Sequence, residues 1–200
     1  MVAMASAALA QTQSLTFDDL SGTGNFGEYN PGDSFTVNVS LTFAGYNSLG
    51  LSFWLEAPTG FASSLSITNV TYGTTFSDPN QIAPNPDFFN TSSGATAGNL
   101  SNNRDLGSTL NTGSAAPGTY FVAAITLSLS GTAPAGSYVL QSTTASPHTS
   151  IVTDTGFGDN PLPASQYTIS VVPEPGTWSL IALGGLGALG LNVRRLRRNA

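Results

Sequence analysis

The chain has 200 residues, eleven acidic and five basic, with a net charge of −6. It has no cysteine and one histidine, which excludes disulfides, thiolate metal sites and histidine-cluster metal centres. The basic residues are all arginines, and only Arg104 lies outside the last seven positions, so the body presents an acidic surface that repels nucleic acid and anionic lipid.

Residues 1–10 are small and mostly apolar. Ala8-Leu9-Ala10 before Gln11 matches an A-x-A cleavage site. This segment reads as a signal-peptide remnant lying outside the mature fold. Residues 11–172 are long enough to bury a core without covalent staples, and are expected to form one ectodomain.

Helical periodicity is almost absent from this region, whereas period-two alternation is plentiful. Leu15 to Phe17 is a first candidate strand. Asn30-Pro31-Gly32-Asp33 has turn chemistry: proline sets φ, while glycine and aspartate permit a tight return. After it Phe35, Val37, Val39, Leu41 and Phe43 alternate with Thr36, Asn38, Ser40 and Thr42, a half-buried strand. Leu49, Leu51, Phe53 and Leu55 repeat the pattern up to Pro58-Thr59-Gly60. In Ser63 to Tyr72 the phase slips at Thr68-Asn69, which predicts a bulge.

Residues 73–118 interrupt this rhythm with mostly Asn, Ser, Thr, Gly and Pro. A structureless stretch of that length is uncommon in a compact domain. It reads as a long insertion in which Phe76, Ile82, Phe88 and Phe89 can pack. Leu100, Leu106 and Leu110 mark a short helix or irregular strands. Alternation then resumes with Phe121, Ala123, Ile125, Leu127 and Leu129. Shorter candidates follow at Tyr138 to Leu140, Ile151-Val152 and Tyr167 to Val172.

Seven or eight strands at hairpin spacing, with Gly/Pro turns and no amphipathic helix, predict an all-β fold: an antiparallel two-sheet sandwich, jelly-roll or Ig/cohesin-like. Pro31-Gly32-Asp33-Ser34 and the strand after it resemble cohesin-like and related bacterial surface sandwiches.

The tail, 173–200, has three parts. Pro173-Glu174-Pro175 comes first; the prolines force any helix to start after them. A nearly uninterrupted apolar run follows, giving one C-terminal transmembrane helix at about 177–193. At about 1.5 Å per residue it covers a little less than a hydrocarbon core of about 30 Å, with snorkelling arginines extending its reach. Trp178 marks one interface; Arg194, Arg195, Arg197 and Arg198 mark the cytoplasmic end.

Pro-Glu-Pro, helix and basic terminus, in this order, closely resemble the PEP-CTERM sorting signal of Gram-negative bacteria. The resemblance covers about residues 172–200. It implies recognition by an exosortase, a membrane-embedded cysteine protease that cleaves near the motif. The chain would be that enzyme's substrate, with Pro173, Glu174 and Pro175 as the recognition motif. The resemblance also implies association with exopolysaccharide and biofilm matrix.

Catalytic chemistry is poorly provided for. His148 lies in a polar loop, with no G-x-S-x-G elbow to make it part of a hydrolase triad. Ten acids in the ectodomain leave any glycosidase pair undefined. Asp154 to Asn160 is the richest cluster of oxygen ligands, but its spacing is not that of an EF-hand and suits an ordinary turn equally well. No metal site and no cofactor is assigned. Trp54 is a candidate sugar-stacking residue if it faces outward, with Tyr29, Tyr46 and Tyr72 as possible companions, and core filling if it faces inward.

The expected function is therefore a non-enzymatic cell-surface or matrix protein. It would pass through an inner-membrane intermediate held by its C-terminal helix, with the ectodomain outside the cytoplasm. A carbohydrate-binding surface module that holds polysaccharide is the alternative, and a secreted hydrolase a remote one.

Overall fold

The computed structural model describes residues 10–19, 26–58, 60–80, 105–144 and 149–172. They form thirteen strands: β1 (Thr12–Asp19), β2 (Phe26–Tyr29), β3 (Ser34–Ala44), β4 (Ser48–Ser52), β5 (Leu55–Glu56), β6 (Leu65–Tyr72), β7 (Asp78–Pro79), β8 (Ser108–Thr109), β9 (Gly118–Leu129), β10 (Gly136–Ser142), β11 (Ile151–Asp154), β12 (Asp159–Pro161) and β13 (Gln166–Val171). A single turn of 3-10 helix at Ala62–Ser64 leads into β6.

One face of the sandwich is the antiparallel sheet β1-β3-β9-β6. Its central strand β3 shows why. Phe35, Val37, Val39, Leu41 and Phe43 are buried on one side, and hydroxyl and amide side chains line the other. Thr36 shares a hydrogen bond with Thr126 across the strands at 3.2 Å, and Thr42 another with Thr119 at 2.9 Å. Such cross-strand pairs hold the register on the wet side.

The expected bulge in β6 is present. Ile67 faces Leu127 and Asn69 faces Thr126, so Thr68 is the extra residue. A second bulge, in β9, was not legible. Val39 pairs with Ala123 and Ser40 with Phe121, leaving Val122 unpaired against β3. The alternation predicts Phe121 in the core. The bulge inverts the phase, so Val122 and Ala123 are both buried and Phe121 is 44% exposed.

The second face departs from one continuous sheet. It consists of β2-β13-β10-β5 and β12-β11-β4-β8-β7, in which β4–β5 and β10–β11 each run from one sheet to the other. The split falls at Phe53-Trp54, where the ladder is interrupted. One pair, β13 with β2, is parallel, an exception to the antiparallel expectation.

The core fills the space between the faces. Leu41, Phe43, Phe53, Phe61, Phe76, Leu106, Ile125 and Tyr167 are fully buried within it. Phe61 stacks on Tyr138 at 3.6 Å between ring centres, and Tyr29 stacks on Phe35 at 4.2 Å. Phe76 and Leu106 belong to the expected insertion. Its described ends are therefore anchored in the core, and they add β7 and β8 to β4 where a helix was one expectation. No helix among the described residues is long and apolar enough to cross a membrane; the span expected at 177–193 lies outside them.

Candidate functional site

Two regions of the described surface carry polar groups held in specific geometry. The first is the interrupted strand around Trp54. Leu51, Phe53 and Leu55 point into the core, whereas Trp54 lies on the opposite side and is partly buried. The position considered for Trp54 in the core belongs to Phe53.

The gap in the ladder is closed by neighbours. The Thr143 N–H donates to the Trp54 carbonyl at 3.0 Å, and the Leu106 N–H to the Phe53 carbonyl at 2.8 Å. The Phe53 N–H donates to Asp105 Oδ1 at 3.1 Å, so a side-chain carboxylate takes the place of a strand carbonyl. Asp105 Oδ1 also accepts from the Gly107 N–H at 2.8 Å, and Oδ2 accepts from Asn80 Nδ2 at 2.8 Å. Asn80 Nδ2 further reaches the Leu51 carbonyl at 2.9 Å and Ser52 Oγ at 3.1 Å.

Asp105 is 8% exposed. Burial raises its carboxyl pKa above the ordinary value, against the opposing pull of its hydrogen-bond donors. Gly107 makes this fit possible: a Cβ there would sit 2.0 Å from the Leu51 carbonyl oxygen. Nothing in the local pattern of Arg104-Asp105-Leu106 announces a buried acid, and sequence reasoning missed it.

The second region is the β11–β12 hairpin. Asp154 Oδ1 accepts from the backbone N–H groups of Gly156 at 2.8 Å and Gly158 at 3.0 Å, and Oδ2 from Asn160 Nδ2 at 3.3 Å. These donors hold the exposed carboxyl below its ordinary pKa, the Gly158 bond most of all. The oxygens considered as calcium ligands are thus engaged in closing a turn. No group of three or more metal-ligating side chains occurs among the described residues. Tyr46 nearby has its hydroxyl pushed up to about 12 by burial and then by the Asp154 charge.

The other sequence candidates separate. Tyr29 stacks on Phe35 and shares a hydrogen bond with Tyr167, while Tyr46 is nearly buried against Phe43. These two rings are therefore engaged in packing. An open cleft of about 530 Å³ is lined by Gln11, Gln13, Thr144, Thr149, Pro161 and Leu162 among others, with no carboxylate among its described lining residues. Ala10 is exposed at the start of the described chain. Ala8, His148, Pro173, Glu174, Pro175, Trp178, Arg194, Arg195, Arg197 and Arg198 lie outside the described residues.

Comparison with known proteins bears on both the tail and the sandwich. Residues 171–198 match the family model of the PEP-CTERM protein-sorting motif. No curated protein sequence matches the chain. Among solved structures, the fold is similar to a cohesin module from a Clostridium perfringens family 33 glycoside hydrolase, at 10% identity and a TM-score of 0.54, covering 82% of this chain and all of that one. It is also similar to a chain of the CaDoc0917–CaCohA2 complex, at 18% identity and a TM-score of 0.51, covering 80% of this chain and all of that one. The solution structure of CaCohA2 from Clostridium acetobutylicum aligns at 20% identity and a TM-score of 0.48, over 80% of this chain and 91% of that one. The described residues thus form an all-β sandwich of cohesin-like fold, in a chain that carries a PEP-CTERM sorting motif at residues 171–198.

Proposed function

We propose that this chain is an exported, non-enzymatic binding module, delivered through its C-terminal signal and cut free by an exosortase. The match of residues 171–198 to the sorting motif carries this reading. Pro173, Glu174 and Pro175 serve as the recognition motif, residues 177–193 as a temporary membrane helix, and the four terminal arginines hold its end on the cytoplasmic side. Residues 11–172 are the working part, active at the cell surface or in the extracellular matrix.

The sandwich supports a binding role over a catalytic one. Its described carboxylates are dispersed or engaged in structure, as Asp105 and Asp154 show. One structural neighbour was solved as a complex, which favours a protein ligand for this module as well. The reading is tested by substituting Pro173 and Glu174 with alanine in an exosortase-bearing host and fractionating the cells. Full-length protein should accumulate in the inner membrane, with surface protein falling at least about tenfold, the equivalent of about 1.4 kcal/mol of lost recognition. Unchanged surface delivery would contradict it.

A second reading, a polysaccharide-binding surface, draws on Trp54 being only partly buried and lying on the side of the chain opposite Phe53. Equal retention of wild type and Trp54→Ala on matrix polysaccharide would remove it.

A further inference from the structure

The most exposed large apolar side chain among the described residues is Phe157, at the tip of the β11–β12 hairpin, with 82% of its surface open to solvent. Its backbone has φ of +60°, a conformation that bulky side chains rarely adopt. The ring makes no contribution to the core, and glycine would suit the backbone better, so local folding gives no reason for phenylalanine here.

The backbone that carries this ring is braced. Asp154 fixes the turn from within through the Gly156 and Gly158 N–H groups, and the Phe157 N–H donates to the Asp154 carbonyl at 3.0 Å. From outside, the Thr155 N–H donates to the Asn47 carbonyl at 3.1 Å, tying the hairpin to the β3–β4 turn. A residue presented on a braced loop incurs less loop-ordering cost on binding. Asp154 and Asp159 stand on either side of Phe157 in the hairpin sequence and give it negative charge, and the described residues contain no lysine or arginine to offset it.

We infer that the Asp154–Asp159 hairpin is a docking knob, with Phe157 entering an apolar pocket edged by lysine or arginine on a partner protein. This rests on the proposed role as a protein-binding module and adds the surface and the kind of partner. Charge selects the occupant. An anionic lipid surface is repelled, and a second copy of this acidic, lysine-free chain offers the wrong sign.

The test places a photo-crosslinker in the full chain in its exporting host, as Phe157→benzoylphenylalanine, with Trp54→benzoylphenylalanine and Thr42→benzoylphenylalanine for comparison. The expected product at position 157 is an adduct to another protein, through an apolar peptide flanked by basic residues. Adding Asp159→Asn, or raising salt to about 1 M where screening acts within ~3 Å, should cut its yield about threefold or more. Phe157→Gly should abolish capture in a competition with purified partner while leaving the urea midpoint no lower than wild type. An adduct to lipid or to a second copy, an acidic or neutral captured peptide, or no adduct at 157 overturns the inference. Protein adducts at Trp54 or Thr42 without one at 157 leave the binding-module reading standing. Absence of protein adducts at all three positions removes both.

Discussion

Asn80 Nδ2 donates to Asp105 Oδ2 at 2.8 Å, joining the residues on either side of the stretch 81–104. The same pair is bonded to Leu51 and Ser52 of β4 and to Phe53 just after it. Asn80 and Asp105, which flank that stretch, thereby meet against β4 and the interrupted segment that follows it, forming a neck.

Removal of the carboxylate should therefore cost stability. Asp105→Ala leaves the buried N–H groups of Phe53 and Gly107 without their acceptor, at about 1–3 kcal/mol each before relaxation. Urea unfolding of residues 11–172 should show a midpoint well below wild type. A midpoint unchanged from wild type would mean that the neck is held elsewhere.

Asp105 also gives stability a sign in pH. Its folded pKa lies above its unfolded value because burial disfavours the charge. The linked stability is full below the unfolded pKa and is lost as pH rises through the folded one. Asp154 works in the opposite sense: its folded pKa is lowered, so its contribution is present above the unfolded value and lost as pH falls through the folded one. Subtracting the stability–pH curve of Asp105→Asn from that of wild type should leave a difference that declines with rising pH just above the ordinary carboxylate range. A difference that grows with pH there would reverse the assignment.

Gly107 should be intolerant of a side chain. An added Cβ would lie 2.0 Å from the Leu51 carbonyl oxygen, in backbone that cannot swing away, whereas one at Gly131 would meet nothing within 4 Å. Gly107→Ala is expected to lower stability by about 1–3 kcal/mol, with Gly131→Ala close to neutral. Thermal melts of the two variants make the comparison directly.

The hairpin turn should loosen without Asp154. In Asp154→Ala the amides of Gly156 and Gly158 lose their acceptor and should exchange with solvent faster, while β3 amides keep their protection. Hydrogen exchange read by NMR resolves the individual positions. Unaltered exchange at both glycines would show that the turn stands without the carboxylate.

What was legible from the residues follows from how local the signal is. The β3 alternation and the Thr68 bulge both lie in the period of a single strand, and both are present. Phe121 was misplaced because a bulge on β9 is fixed by pairing with β3, a partner far away in sequence. The strands β2, β7 and β8 run only two to four residues, too few to show a period. Asp105 was illegible for a related reason. Its donors come from Phe53, Asn80 and Gly107, which converge only once β4 and the insertion have met. Trp54 was half legible: alternation offered two faces, and burial of Phe53 at 0% exposure decides between them.

The central claim is that the C-terminal signal is a removable address. Intact-mass and C-terminal peptide analysis of the surface-associated protein from an exosortase-competent host tests it most directly. Cleavage near Pro173–Gly176, with residues 177–200 missing, is the result expected from the sorting motif at 171–198. Surface protein that uniformly retains Ala200 would contradict it.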